Sequence, residues 1–298
     1  MRDERGFSLV EMIVSAGIML AVMAGIFAVV NPARGTFQVQ PERSDMQQRL
    51  RVVSEGLTKD LVAAGAGLRT FPAVLPMRRG PMNPDGPETF KADTITLLTI
   101  PATAALTRTS RAMATPSADV PVLAQSACPA VTPLCGFTAG MNVVIFDDTG
   151  AYDTFTIASI DSAALTISRA PGDLSKSYDA GASVAEVFSV THWLNAAAGQ
   201  LMRYDGVGSD VGEAENIASI AFEYYGDAGG SPVKLDPAIL VDGPWYPDPV
   251  NPNRWDADLL RVRRIVVTVR VRSALAALKL PDEELRFDVT PRNLGGER

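Results

Sequence analysis

The chain has 298 residues, a formal net charge of −7, and a composition of 47% hydrophobic and 20% charged residues. This balance is typical of a globular protein with a sizeable core, and the acidic charge argues against a general nucleic-acid binder. Only one histidine, His192, and two cysteines, Cys128 and Cys135, are present, which excludes most four-coordinate zinc sites and leaves a triad hydrolase with a single candidate base.

The first segment in chain order is an apolar run at residues 7–30 that contains one ionisable side chain, Glu11. As a helix the run would extend roughly 36 Å, enough to cross the ~30 Å hydrocarbon core of a membrane. Arg2 and Arg5 precede it, so the positive-inside rule places the short N-terminus in the cytoplasm. The sequence therefore predicts a single-pass inner-membrane protein whose remaining residues lie on the periplasmic side.

Three other interpretations of this run are a plain signal anchor, a secretory signal peptide cut near Val22-Met23-Ala24, and a buried core helix. Glu11 argues against all three, because a carboxylate inside an apolar segment costs a few kcal/mol and usually marks a functional partner. Small residues in the run would allow close helix packing, but they are equally compatible with any membrane helix. These residues are Ser15, Ala16, Gly17, Ala21, Ala24 and Gly25.

The start of the run carries a motif, Arg5-Gly6-Phe7-Ser8-Leu9-Val10-Glu11. This motif resembles the processing site of type IV prepilins and type II secretion pseudopilins. The resemblance implies that a prepilin peptidase removes a leader at residues 1–6 by cutting between Gly6 and Phe7, and that it then methylates the new N-terminus at Phe7. Glu11 matches the glutamate that the family carries at the fifth position of the mature chain.

The resemblance also implies a role for Glu11 in assembly. After cleavage Phe7 would carry a positive amine, and the Glu11 carboxylate of one subunit could neutralise the amine of a neighbour inside an apolar helix bundle. The implied partners are prepilin peptidase, other minor and major pilins, the inner-membrane assembly platform and membrane lipid, with no nucleic acid and no cofactor. The chain is then expected to be the substrate of an enzyme rather than an enzyme.

A second helical segment is predicted within residues 31–67. Asn31-Pro32 interrupts the apolar run and Pro41 follows, and a proline inside a helix removes a backbone hydrogen bond and kinks or ends the helix. Gly65 and Gly67 should end the segment. Apolar residues recur on one face of this segment; they are Met46, Leu50, Val53, Leu57, Leu61 and Ala64. An amphipathic half-helix of this kind packs one face on a sheet, which is the layout of pilins.

Residues 68–298 are predicted to form a β-rich periplasmic head, because alternating and β-branched segments are separated by loops rich in proline and glycine. The segment at about 138–190 is predicted to be a small inserted β subdomain. The fold class is therefore α+β and pilin-like, with a long N-terminal helix, first transmembrane and then amphipathic, packed on an antiparallel head. The predicted strands lie at 93–100, 142–147, 152–160, 164–168, 183–191, 200–204, 217–225, 261–272 and 285–289.

Short phrases in the head resemble the minor pilin class PilW. They are Trp193, the sequence Gly-Gln-Leu-Met-Arg-Tyr at 199–204, the strand at 217–225, the stretch at 262–271, and Pro-Arg-Asn-Leu at 291–294. This resemblance is scattered over about half of the chain and implies a minor pilin that helps to initiate or cap a pilus. The alternatives are a type II secretion pseudopilin of the J type, an adhesin-like subunit at a pilus tip, and an anchored periplasmic enzyme.

Two groups of head residues are candidates for a bond or a ligand. Cys128 and Cys135 enclose six residues and could form a disulfide in an oxidising periplasm, the alternative being two unpaired cysteines. Several aspartates near a proline-rich loop offer oxygen ligands of the kind that calcium prefers, but their spacing matches no EF-hand, so no metal is expected. These aspartates are Asp236, Asp242, Asp248, Asp256 and Asp258.

Two further features have simpler structural interpretations. His192 beside Trp193 is interpreted as a structural residue at a strand end rather than a catalytic one. Gly206, Gly208 and Gly212 do not fit the spacing G-x-G-x-x-G, and no helix is predicted after them, so they are interpreted as a turn rather than a dinucleotide site.

Overall fold

A computed structural model of the chain describes residues 8–68, 70–80, 83–206, 208–251 and 253–294, and for residues 29–37 it describes the backbone alone. One helix, α1, runs from Leu9 to Ala63. The helix therefore does not end at Pro32 or Pro41, where the sequence predicts a kink or an end, and its two halves are continuous. A proline removes one hydrogen bond, but the bonds of the adjoining turns remain, and here they maintain the helical path of the backbone.

The second half of α1 is attached to the head through the apolar stripe that the sequence predicts. Every member of the stripe from Met46 to Ala64 is buried in the main core. The helix ends at Ala63, and Gly65 and Gly67 follow it with φ of +83° and +73°. At Gly67 an added Cβ would lie 2.6 Å from the Cβ of Ile100, so this tight turn requires glycine.

The described remainder consists of strands, short 3₁₀ helices and the loops that join them. The 3₁₀ helices are Pro237–Leu240, Ala257–Arg261 and Ala276–Leu278. The strands are β1 (Val74–Leu75), β2 (Thr94–Thr99), β3 (Leu106–Arg108), β4 (Val120–Pro121), β5 (Asn142–Phe146), β6 (Tyr152–Asp161), β7 (Thr166–Arg169), β8 (Ser183–Glu186), β9 (Phe188–Asn195), β10 (Gln200–Tyr204), β11 (Asp210–Glu215), β12 (Ile217–Ala228), β13 (Ser231–Lys234), β14 (Trp245–Tyr246), β15 (Trp255–Asp256), β16 (Arg264–Val271) and β17 (Glu283–Val289).

Two antiparallel sheets form the part of the head that contacts α1. The five-stranded sheet has the order β1-β2-β9-β10-β11, and the four-stranded sheet has the order β13-β12-β16-β17. In β16 the residues Ile265, Val267, Val269 and Val271 are buried while Arg270 is exposed, as the alternating pattern predicts. Val266, on the predicted solvent face, is buried as well.

A third sheet is inserted between β2 and β9 and has the order β3-β8-β5-β6-β7-β4. The residues that follow its two outer strands meet, since Thr109 and Val122 form a β-bridge and Leu123 N donates to Arg108 O at 2.8 Å. We therefore describe it as a closed six-stranded barrel, and it has its own apolar core. The predicted insertion at about 138–190 is too short, because β3 and β4 also belong to the barrel.

The predicted strand at 183–191 is in fact two strands in different sheets. β8 belongs to the barrel and β9 to the five-stranded sheet, and Val187 between them is buried in the main core. The edge strands β11 and β13 were not predicted, because they contain glycine, proline and charged residues rather than an apolar alternation. Gly212 lies in β11, whereas Gly206 has a φ of +85° in the preceding turn.

The barrel is held against the rest of the head by stacking and by hydrogen bonds. The rings of Phe71 and Tyr152 stack at 4.4 Å, and Trp255 Nε1 donates to Gly150 O at 3.0 Å. The barrel carboxylate of Asp153 accepts a hydrogen bond from Asn253 Nδ2, which belongs to the proline-rich loop at 241–258. Burial raises the pKa of Asp153. The long loop is thus part of the contact between the two halves of the head.

Candidate assembly helix and its attachment to the head

The first part of α1 stands clear of the head. The stretch Leu9–Ala28 has 20 residues and a mean hydropathy of 2.2, which makes it long and apolar enough to cross a membrane, and none of it is buried. Its large side chains are open to the surroundings, with Leu9 75% and Leu20 72% exposed. A continuous apolar surface of this size is unfavourable in water, so it requires lipid or other apolar helices around it.

Glu11 lies in the first turn of this exposed stretch. Its main-chain oxygen accepts a hydrogen bond from Ser15 Oγ at 2.7 Å, whereas its carboxylate pairs with no donor or cation among the residues that the structure describes. An unpaired carboxylate in an apolar environment is costly. The predicted cleavage site at Gly6 and Phe7 lies outside the described residues.

The glycines of the exposed stretch have no contact that would require them within the chain. A Cβ added at Gly17 or at Gly25 would have nothing within 4 Å. Close packing against a neighbouring helix and simple compatibility with a membrane therefore both stay open as predictions.

Glu42 anchors the head where α1 enters it. Its side chain is only 5% exposed and accepts hydrogen bonds from Ser273 Oγ at 3.0 Å and from Ala274 N at 2.6 Å. These bonds attach the loop between β16 and β17 to the helix. This role was not predicted, although Glu42 lies four residues before Met46 and so falls on the buried stripe.

His192 is the centre of a second attachment, which we call the His192 cluster: Asp60, His192, Arg203 and Glu213. The imidazole is fully buried in the middle of β9, with Nε2 3.1 Å from Asp60 Oδ2 and Nδ1 3.0 Å from Glu213 Oε2. Arg203 Nε lies 3.1 Å from the same Asp60 oxygen. The cluster joins α1 to three neighbouring strands, and His192 lies within a strand rather than at its end.

The charges of the His192 cluster shift each other's protonation. Burial by itself lowers the pKa of His192, but the hydrogen bonds and negative charges of Asp60 and Glu213 outweigh it, so this pKa is raised. Burial raises the pKa of Asp60, but hydrogen bonds and charges from His192 and Arg203 outweigh that effect, so this pKa is lowered. Both shifts favour the ionised pair at neutral pH.

Arg78 forms another cluster, which attaches the proline-rich loop at 71–87 to the five-stranded sheet. Its guanidinium is 4.5 Å from the ring centre of Tyr204 and 5.3 Å from that of Trp193, and Nη2 is 2.9 Å from Asp210 Oδ2. Trp193 Nε1 donates to the other oxygen of Asp210 at 2.9 Å. Trp193 and Tyr204, two residues that carry the PilW resemblance, therefore make structural contacts here.

Three of the five candidate calcium ligands, Asp236, Asp248 and Asp256, cap nearby backbone N–H groups. Carboxylate oxygens of Asp242, Asp256 and Asp258 lie within 4.8 Å of one another. However, the buried Asp256 accepts hydrogen bonds from Gly243 N at 2.6 Å and from Asp258 N at 2.8 Å. Asp236 and Asp248 each accept from backbone N–H groups two or three residues later. These bonds give the aspartates structural roles in the loop.

Cys128 and Cys135 are joined by a disulfide in the barrel loop between β4 and β5. We predict that replacing both by serine lowers the free energy of unfolding by about 2–3 kcal/mol. Without the disulfide, the unfolded chain is no longer restricted by a short closed loop and gains conformational entropy. Urea unfolding of the detergent-solubilised protein measures this change, and reduced wild-type protein is the matched control. Two reactive thiols in denatured, unreduced wild-type protein would contradict the prediction.

Residues 1–27 match the family model described as the prokaryotic N-terminal methylation motif. Comparison with curated proteins finds no match, and comparison with solved structures finds none either. The matched motif, together with the apolar span at Leu9–Ala28, supports a membrane-anchored protein of the type IV pilin-like or pseudopilin kind, with the processing by prepilin peptidase and the assembly with other pilins that the motif implies.

Proposed function

We propose that the chain is a minor type IV pilin, PilW-like, which prepilin peptidase cuts after Gly6 and which takes part in initiating or capping pilus assembly. One observation carries the proposal: a fully exposed apolar helix that begins with a methylation motif and contains one carboxylate, Glu11, without a partner among the described residues. Such a helix is suited to packing with others like it, and the carboxylate is suited to pairing with the amine of a neighbouring subunit.

The proposal gives each part of the chain a place. The apolar span holds the subunit in the inner membrane with the N-terminus in the cytoplasm, and then packs into the filament. The head lies in the periplasm and contacts other minor and major pilins, while the assembly platform acts on the membrane segment. The chain itself is a substrate and a structural subunit, and the proposal assigns it no catalysis and no cofactor.

A type II secretion pseudopilin of the J type is the second candidate, because the methylation motif is shared by both systems. Deletion of the chain separates the candidates. Loss of pili with normal protein secretion supports the minor pilin, and loss of secretion with normal pili supports the pseudopilin. Normal pili that no longer attach to surfaces would instead indicate an adhesin-like tip subunit.

Processing after Gly6 is the direct test of the proposal. We expect the mature protein to lack residues 1–6 and to begin with N-methylated Phe7, as measured by intact mass and N-terminal sequencing of the membrane fraction. Gly6→Val should remain at full length, because the peptidase must accommodate the residue before the cut. Gly17→Ala, at a helix glycine without neighbours, is the matched control and should be processed normally.

Retention of Met1 in the wild-type protein, or a cut near Ala24, would rule out the prepilin interpretation. An intact Met1 would support a plain anchor, and a cut near Ala24 would support a secretory signal peptide.

A further inference from the structure

The His192 cluster requires its histidine to be charged. Each ring nitrogen of His192 faces a carboxylate oxygen, Asp60 Oδ2 at 3.1 Å and Glu213 Oε2 at 3.0 Å. An ionised carboxylate only accepts hydrogen bonds, so both ring nitrogens must donate and both must carry protons. A neutral imidazole would turn one lone pair toward a carboxylate, which loses a hydrogen bond and leaves a buried acceptor unpaired.

Three of the elements beside His192 contribute a charge that faces it or its partners. Asp60 comes from α1, Glu213 from β11, and Arg203 from β10, where it lies directly opposite His192 in the sheet. On the other side β2 places the uncharged Ile95 opposite the histidine. Two carboxylates and two cations balance while His192 is protonated. When His192 is neutral, the cluster carries one net negative charge.

Glu213 also touches the helix one turn before Asp60. A Cβ added at Gly56 would lie 2.9 Å from Glu213 Oε1, so the glycine allows β11 to approach the helix backbone closely. The edge strand β11 is therefore seated on α1 by this close approach and by the bridge through His192 to Asp60. If the bridge through His192 is lost, only the close approach at Gly56 still holds β11 on α1.

We infer that the His192 cluster is a proton-dependent contact that positions the five-stranded sheet on α1. The contact is complete while both ring nitrogens of His192 are protonated, and it is weaker once His192 has lost a proton. The inference goes beyond the proposed function, because it concerns the joint between helix and head and applies to a pilin and to a pseudopilin alike. The joint lies near the C-terminal end of α1, within the half of the helix that packs on the head, so its stiffness sets how firmly the sheet is held on the helix.

The direction of the pH effect follows from the raised pKa of His192. The stabilisation is fully present below the ordinary histidine value of about 6.5 and is lost as the pH rises through the raised value. Within that window the ratio of folded to unfolded protein should fall about tenfold per pH unit. The lowered pKa of Asp60 acts at the other end, since its contribution is lost only as the pH falls through that lowered value.

The protonation state can be measured directly, because His192 is the only histidine of the chain. The experiment is an NMR pH titration of the full chain in detergent micelles with ¹⁵N-labelled histidine. We expect both ring nitrogens to be protonated at pH 6.5, a titration midpoint above that pH, and a lower midpoint in Glu213→Gln. A neutral imidazole at pH 6.5, or an unchanged midpoint in Glu213→Gln, would overturn the inference.

The positioning role needs a readout on the helix. Hydrogen-exchange protection factors of residues 50–63 should fall in the wild-type chain as the pH rises past the NMR midpoint. This pH-dependent step should be absent in His192→Gln. Lys59→Gln, an exposed neighbour of Asp60 on α1, should keep it. Equal pH dependence in the wild type and His192→Gln contradicts the role. If His192→Gln does not fold, Glu213→Gln must move the step to lower pH, and an unmoved step contradicts the role equally.

Discussion

Replacing Glu11 by glutamine is expected to leave cleavage after Gly6 intact but to lower incorporation of the chain into filaments by more than about a hundredfold. Removing one partner of a charge pair in an apolar environment leaves the other charge unpaired at a cost of about 3–5 kcal/mol, and each 1.4 kcal/mol is about tenfold. Glutamine keeps the size of the side chain and removes only its charge. The measurement is the amount of chain in sheared filaments relative to the membrane fraction.

Glu55→Gln is the matched control for this change. Glu55 is an exposed glutamate on the same helix, outside the apolar span, and it pairs with Arg51 at 2.7 Å. Exposed pairs contribute little, so this variant should assemble normally. Equal incorporation of Glu11→Gln and wild type would refute the role of Glu11 in assembly and would leave the processing prediction standing.

Leu57→Ala should destabilise the head by about 2–5 kcal/mol, because it removes a fully buried side chain from the stripe that joins α1 to the main core. The effect combines lost burial with the cavity that remains. Chemical unfolding of the detergent-solubilised protein, followed by tryptophan fluorescence, measures it.

Val52→Ala, about one and a half turns earlier on the same helix, provides the comparison. Val52 is 49% exposed, and a surface change of this kind should remain within about 0.5 kcal/mol of wild type. Similar losses in the two variants would mean that the stripe is not the contact surface of α1.

Hydrophobic periodicity in the sequence was sufficient to predict the elements in which buried and exposed side chains recur regularly. The apolar residues of the stripe from Met46 to Ala64 recur at the helical period, and every member of the stripe is buried. The alternation in β16 likewise predicted its buried face and the exposure of Arg270, although Val266 on the opposite face is also buried. Strands such as β3, β4 and β11 were missed because they are short or polar and are stabilised by the neighbours they pair with rather than by their own composition.

The attachment residues were harder to predict, because their partners are distant in the sequence. Asp60 and His192 are separated by 132 positions, and Glu42 and Ala274 by 232. A charged residue on a helix normally indicates a solvated face. At Asp60 the sheet supplies donors to the carboxylate, and at Glu42 the loop after β16 supplies them, which makes burial of these carboxylates favourable.

The sequence by itself determined the membrane span, the methylation motif with its single carboxylate, and the amphipathic second half of α1, because these depend on local composition and spacing. Only the tertiary structure decided that α1 continues through Pro32 and Pro41, that the inserted strands close into a barrel, and that His192 joins the helix to the sheet. The barrel and the His192 attachment depend on contacts between distant segments, whose energies are absent from any local pattern, whereas α1 continues because the adjoining turns keep their hydrogen bonds.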